Sequence, residues 1–197
     1  MSKIVRAERF ELVDRSGNLR GLLALSPAGA PGLGLYGGDG KLRALLSLGS
    51  DGSVGLTLGD GGAVRAELEL DGDSAVTLRL LDRYGKPRAA LGFTADGSPV
   101  LSLADWTSQT RAGLAVRPDG SPALSLHGPD GTVRLLVALG PDAEPSLSLH
   151  DKTERFRAFV ALEPNGSPHV TLFDRTRRVT WSAPQDVPGT ASGGTDA

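Results

Sequence analysis

Seven arginines return at nearly fixed intervals along this chain: Arg20, Arg43, Arg65, Arg88, Arg111, Arg134 and Arg157, with Thr180 in the eighth equivalent place. The successive spacings are 23, 22, 23, 23, 23, 23 and 23 residues. A guanidinium column of this kind could do one of two things. Set along one face of a sheet and separated by two strands, its members would stand ~10 Å apart. In that arrangement Arg43, Arg65, Arg88, Arg111, Arg134 and Arg157 form a cationic ladder for an anionic polymer or partner, with Trp106 as an aromatic contact beside it. Alternatively, each Arg pairs with an Asp in the nearest turn, covers the sheet with its stem and blunts edge association. The formal net charge of -2, from 21 Lys+Arg against 23 Asp+Glu, favours the second use.

The remaining polar residues are weaker candidates. Asp14, Asp82, Asp105, Asp151 and Asp174 could serve as acid–base groups or Ca²⁺ ligands. Their repetition at segment ends argues for turn-making instead, because Asp bonds the backbone that follows it. The glycine-rich Ca²⁺-binding run of RTX repeats is missing; GGDG at 37–40 is an isolated fragment. His127 and His150 hold equivalent places in successive repeats, but two histidines ~10 Å apart cannot share one ion, and neighbouring arginines would repel it. We read them as surface residues, and His169 has no evident partner. Trp106 lies in the turn Asp105-Trp106-Thr107-Ser108 and is expected to be exposed, where it suits a sugar or a protein contact. Trp181 shares the inward parity of Val179 and is expected to plug the end of the core. Serines are plentiful, yet no G-x-S-x-G elbow occurs and no glycine loop leads into a helix. No catalytic, cofactor or metal site is expected, and the chain reads as a non-enzyme.

What positions these residues is a repeat of two alternating segments. After each Arg, apolar residues fall at every second place: Leu46 and Leu48, Leu68 and Leu70, Leu91 and Phe93, Leu114 and Val116, Val137 and Leu139, Val160 and Leu162. A second segment alternates in the same way, as in Leu33 and Leu35 or Leu124 and Leu126. A period of two is the signature of a strand, whose successive side chains point to opposite faces. Proline at 31, 99, 122, 145 and 168 would open a strand, where its missing N–H is tolerated.

The turns decide how the strands connect. Stretches such as Gly37-Gly-Asp-Gly40, Asp82-Arg-Tyr-Gly85 and Ala95-Asp96-Gly97 end in Gly with Asp close by, as in a type I turn followed by a positive-φ glycine. Such loops join antiparallel neighbours. Placing Leu35 and Leu42 on one face pairs Tyr36 with Lys41 and leaves a four-residue loop; placing Phe93 and Pro99 on that face pairs Thr94 with Ser98 and leaves three. The expected fold is all-β: about eight 23-residue hairpins in an antiparallel meander over residues 1–183, with one apolar face. A parallel two-sheet β-roll is the alternative. Residues 184–197, rich in Gly, Ser, Pro and Thr without periodicity, read as a disordered tail.

A meander of about sixteen strands at ~4.8 Å spacing would be ~75 Å long and would show water a continuous leucine stripe. No segment has helical periodicity with caps to cover it. We therefore expect self-association through Leu46, Leu68, Leu91, Leu114, Val137 and Val160. Strands of about seven residues span ~23 Å, and a triangular prism of that side puts each wall under ~7 Å from the centre, within reach of leucine; a trimer is thus placed slightly ahead of a dimer.

The phrase FELVDRSGNLRGLLAL, Phe10 to Leu25, and the later DGSP-x-L-x-L resemble bacterial proteins built from repeats of the form F-x-L-x-D-x-x-G-x-x-R-A-x-L. The resemblance covers most of the array and implies no particular activity. The turn Gly59-Asp60-Gly61-Gly62 departs most from the pattern, and the last unit, lacking its Arg, resembles a terminal cap.

Composition narrows the function. The charge balance argues against nucleic acid as a partner. MSKIVRAERF lacks the apolar core of a secretory signal, no apolar run approaches the ~18 residues of a membrane helix, and Cys is absent. The expected setting is cytoplasmic, without membrane insertion, although a surface or fibre assembly reached by a non-classical route stays open. The function expected is a structural module that self-associates and joins other protein components. The alternative is a glycan- or anionic-polymer-binding module using the Arg column.

Overall fold

Each change of chain direction is made by a short turn whose chemistry is local. In the turn after Phe93, the Thr94 N–H donates to the Ser98 carbonyl at 2.9 Å and the Gly97 N–H to the Thr94 carbonyl at 2.9 Å. Three residues remain between the paired ends. Gly97 sits at φ +81, in the left-handed region where glycine carries no Cβ penalty. The computed structural model describes residues 4–72 and 75–184 of the chain. The final residues 185–197, most of the segment expected to be a disordered tail, lie outside the described residues.

Sixteen strands follow one another in chain order. The chain divides into two units, Met1–Pro118 and Asp119–Ala197. The first holds β1 (Arg9–Val13), β2 (Leu19–Leu25), β3 (Pro31–Tyr36), β4 (Leu42–Leu48), β5 (Val54–Gly59), β6 (Val64–Leu70), β7 (Val76–Leu81), β8 (Pro87–Phe93), β9 (Pro99–Ala104) and β10 (Thr110–Val116). The second holds β11 (Pro122–His127), β12 (Val133–Leu139), β13 (Pro145–His150), β14 (Phe156–Leu162), β15 (Pro168–Phe173) and β16 (Val179–Ala183). Within each unit every neighbouring pair is antiparallel. The fold is an all-β antiparallel meander, and the parallel roll does not occur, because a three-residue turn returns the chain alongside the strand it has just left. The five prolines expected to open strands all do so, and Pro87 does the same.

The first connection of each repeat differs from the sequence reading. Tyr36 does not pair with Lys41. The Gly37 N–H donates to the Lys41 carbonyl at 2.8 Å, leaving a three-residue loop, and the next pair is Tyr36 with Leu42, followed by Leu35 with Ala44. Arg43 is left over as a β-bulge. Leu42 therefore shares the face of Tyr36 and Gly34, not that of Leu35; a Cβ built on Gly34 would lie 3.2 Å from Leu42 and 3.3 Å from Tyr36.

The same slip recurs at every such hairpin. The residue skipped in the register is Arg20, Arg65, Arg88, Arg111, Arg134 or Arg157, and Thr180 in the last. The hairpins between them, such as β8 with β9, run without a bulge. The arginine column is thus the bulge column of the sheet.

On the apolar face, pairing strings the leucines into one line. In the first unit it runs Leu23, Leu33, Leu46, Leu56, Leu68, Leu78, Leu91, Leu101 and Leu114, each opposite the next. In the second it runs Leu124, Val137, Leu147, Val160 and Val170. Beside the first line, large residues alternate with small ones: Leu35, Ala44, Leu58, Ala66, Leu80, Ala89 and Leu103. Cross-strand contacts of this kind stabilise a sheet but cover only the flanks of each side chain. Among the described residues Ala138 is the one buried hydrophobic, and no side chain is fully buried.

Candidate functional site

Three features could carry function: the row of Asp–Arg turns, the apolar face and the aromatic turn tips. In the turn row, Asp105 shows how the sequence builds the geometry. Its Oδ1 accepts the Thr107 hydroxyl at 2.6 Å, the Thr107 N–H at 2.8 Å and the Gln109 N–H at 3.2 Å. Its Oδ2 takes the Arg111 guanidinium at 3.3 Å. One oxygen thus fixes the turn and the other the bulge. The Thr107 hydroxyl above all, then the backbone N–H groups and Arg111, hold this carboxyl down at about 2 despite partial desolvation. Asp151 is built alike, with Thr153 and Arg157, and lies lower still.

Where the opening residue of the turn is glycine, the carboxylate comes from inside the loop. Gly37 and Gly128 open two turns, and there Asp39 and Asp130 pair with Arg43 at 2.8 Å and Arg134 at 2.7 Å. Arg20 pairs with Asp14 at 2.8 Å, Arg65 with Asp60 at 3.9 Å and Arg88 with Asp82 at 3.5 Å. All seven arginines are therefore engaged by the turn of their own repeat. Several also reach the next one: Arg88 Nε donates to the Ala104 carbonyl at 3.0 Å, and Arg157 donates to the Asp174 carbonyl. Arg43 packs so close to the next turn that a Cβ on Gly61 would overlap its guanidinium. The column works as a set of staples between repeats.

The histidines have structural partners. Nε2 of His127 and of His150 meets the Ser125 and Ser148 hydroxyls, each at 2.9 Å. His169, for which the sequence offered no partner, lies between Glu163 and Thr171. Among the described residues each Ser–His pair lacks the third group that would orient the imidazole in a hydrolytic triad, and Ser148 is buried to 4% exposure. Among the described residues no group of three His, Cys, Asp or Glu is placed to hold a metal ion. No helix there is long and apolar enough to cross a membrane.

The apolar face is open. Along its central line in the first unit exposure runs from 36% at Leu56 to 50% at Leu91, with Leu46, Leu68 and Leu114 within that span; in the second unit Val137 and Val160 are exposed and Leu147 and Val170 half-buried. Trp181, expected to close a core, is 44% exposed and lies opposite Leu172. The correction has a simple cause: a single-layer sheet has no interior for it to close.

Trp106 is exposed, at 73%, as its turn position predicts. The sequence reading missed its neighbour. Tyr84, 72% exposed, occupies the tip of the corresponding turn one repeat earlier. Arg83 lies over the Tyr84 ring at 4.8 Å and donates to its hydroxyl at 2.7 Å. Lys86 Nζ reaches the Trp106 carbonyl at 3.4 Å and ties the two turns together. An aromatic in each of two successive turns of the same row, one place apart within the turn, was the available signal.

No family model matches the chain, and no curated protein matches it. Among solved structures, the chain is similar to the SAS-4 (dCPAP) TCP domain of Drosophila melanogaster, determined in complex with a proline-rich motif of Ana2 (dSTIL). The match has 15% identity and a TM-score of 0.49, and covers 86% of this chain and 95% of that one.

Proposed function

We propose that the chain is a non-enzymatic structural module that covers its leucine face with copies of itself and uses its polar face and turns to join other protein components. The observation that carries this reading is the open line Leu46, Leu68, Leu91, Leu114 in a unit without a buried core. Soluble monomers leave apolar patches of only a few hundred Å² exposed. A specific interface needs upward of ~1,000 Å², and a line of half-exposed leucines with its flanking columns offers an area of that order. A second copy is the occupant that fits best, because the face is regular along the chain and matches itself.

Three copies are placed ahead of two. The strands of six and seven residues span ~20–23 Å, and three such walls leave a centre that leucine side chains can fill. Both end strands are only five residues long. β1 carries the Arg9–Glu11 ion pair. Short end strands, one of them charged, discourage growth strand by strand, which favours a closed assembly over the face. Multi-angle light scattering should give a mass of three chains, independent of concentration in the micromolar range. A compact, monodisperse monomer would end this reading.

A further inference from the structure

We infer that the turn tips bearing Tyr84 and Trp106 form a binding platform for an anionic polysaccharide, a chain of pyranose rings carrying carboxylates. Folding gives no reason for aromatics here. The tip of a type I turn accepts almost any residue, and the other tips of this row carry Arg15 and Ser16, Gly38 and Asp39, Pro129 and Asp130, Lys152 and Thr153, or Arg175 and Thr176. Only 2 Trp and 2 Tyr occur in the chain, and one of each stands on adjacent tips, more than 70% exposed.

The geometry selects the ligand class. The two turns are separated by two strand spacings, ~9.6 Å, which is about the length of a disaccharide. A linear polymer could therefore stack every second ring on an aromatic face. A protein partner would need a wider complementary surface around such anchors, and the flanking tip within the same unit, Gly61-Gly62, supplies little of it. The charges left without a counter-ion are cationic. Among the described residues neither Arg83 nor Lys86 pairs with a carboxylate, whereas Asp82 and Asp105 are held by their own turns and by Arg88 and Arg111. These two cations, bonded to neutral groups and not to carboxylates, thus meet the polymer's carboxylates, and the arginine column is not the recognition element.

The test is a fluorescence titration of the full chain with hyaluronan oligosaccharides, compared with cello-oligosaccharides and oligo(dT). Hyaluronan should quench tryptophan emission and bind at least ten-fold more tightly than the neutral oligomer, with affinity falling as salt rises. Trp106→Ala and Tyr84→Ala should each weaken binding about ten-fold, Trp106→Phe should restore most of it, and Arg83→Ser with Lys86→Ser should abolish the preference for the anionic sugar. Far-UV circular dichroism and native mass should not change in these surface variants, so a failure here is separate from a failure of self-association. Absence of hyaluronan binding, binding unaffected by Trp106→Ala, or tighter binding of oligo(dT) would each overturn the inference.

Discussion

Replacing Leu114 tests the proposed assembly directly. Leu114 ends the apolar line of the first unit, opposite Leu101, and is 48% exposed. Full burial of a leucine contributes ~1.5–3 kcal/mol. About half of its surface is already covered by neighbours, so a partner copy would add ~1 kcal/mol per chain. Leu114→Ala should therefore weaken a trimer by ~3 kcal/mol, on the order of 100-fold in the association constant. Leu114→Asp would bury an unpaired carboxylate in every copy at a cost of several kcal/mol each, enough to abolish assembly at micromolar concentration. In a lone chain the same aspartate would meet water and cost little. Sedimentation equilibrium over a hundred-fold dilution series, with Arg111→Ser on the opposite face of the same strand as control, separates these outcomes. If Leu114→Asp keeps the wild-type mass, leucine-face assembly is wrong.

Three further outcomes follow from the turns. Ala143 and Glu154 adopt φ 66 and φ 59, where glycine serves elsewhere, so Ala143→Gly and Glu154→Gly should each stabilise by about 0.5–1 kcal/mol in urea denaturation at fixed protein concentration. Gly97→Ala should do the reverse by a similar amount, and for conformational reasons alone, since a Cβ there meets nothing within 4 Å. Acid should weaken the fold in a defined window: the carboxyls of Asp105 and Asp151 lie below their unfolded value, so their contribution is complete above pH ~4 and fades as pH falls, through about 2 for Asp105 and lower still for Asp151. The urea midpoint should drop across that range, and less steeply in Asp105→Asn. Arg134→Ser and Arg157→Ser together should lower the melting temperature slightly and leave both native mass and hyaluronan affinity unchanged.

Much of the architecture was legible because it rests on local rules. Strand number, strand-opening prolines and the three-residue loop at 95–97 followed from alternation and turn residues. The bulges did not, for a definite reason. A three-residue loop joins residues of like parity, so a 23-residue repeat, being odd, needs one shift of parity per unit. A four-residue loop from Tyr36 to Lys41 supplies that shift, and so does a three-residue loop followed by a bulge at Arg43. The apolar pattern is identical in both. Trp181 was misread because parity assigns a face, not an interior. Tyr84 was overlooked because one aromatic in a turn means little until its neighbour in space is known.

The shortened repeat shows what the bulge contributes. Between Arg43 and Arg65 the spacing is 22, an even number, and a three-residue loop without any bulge would keep the leucines in line. The chain instead tightens the turn, with the Asp60 N–H donating to the Ala63 carbonyl at 3.1 Å and Gly61 at φ +86, and keeps the bulge at Arg65. Two changes of parity cancel there. Since the register did not require it, the bulge must serve the side chain: two successive residues on the polar face let an arginine turn back to the carboxylate of its own loop, as Arg65 does towards Asp60. With the arginine engaged on that side, the opposite face holds nothing but aliphatic groups from Leu46 through Leu56 to Leu68. The polar staple and the open apolar line are two consequences of one extra residue per hairpin, and a surface that partner copies could cover follows from both.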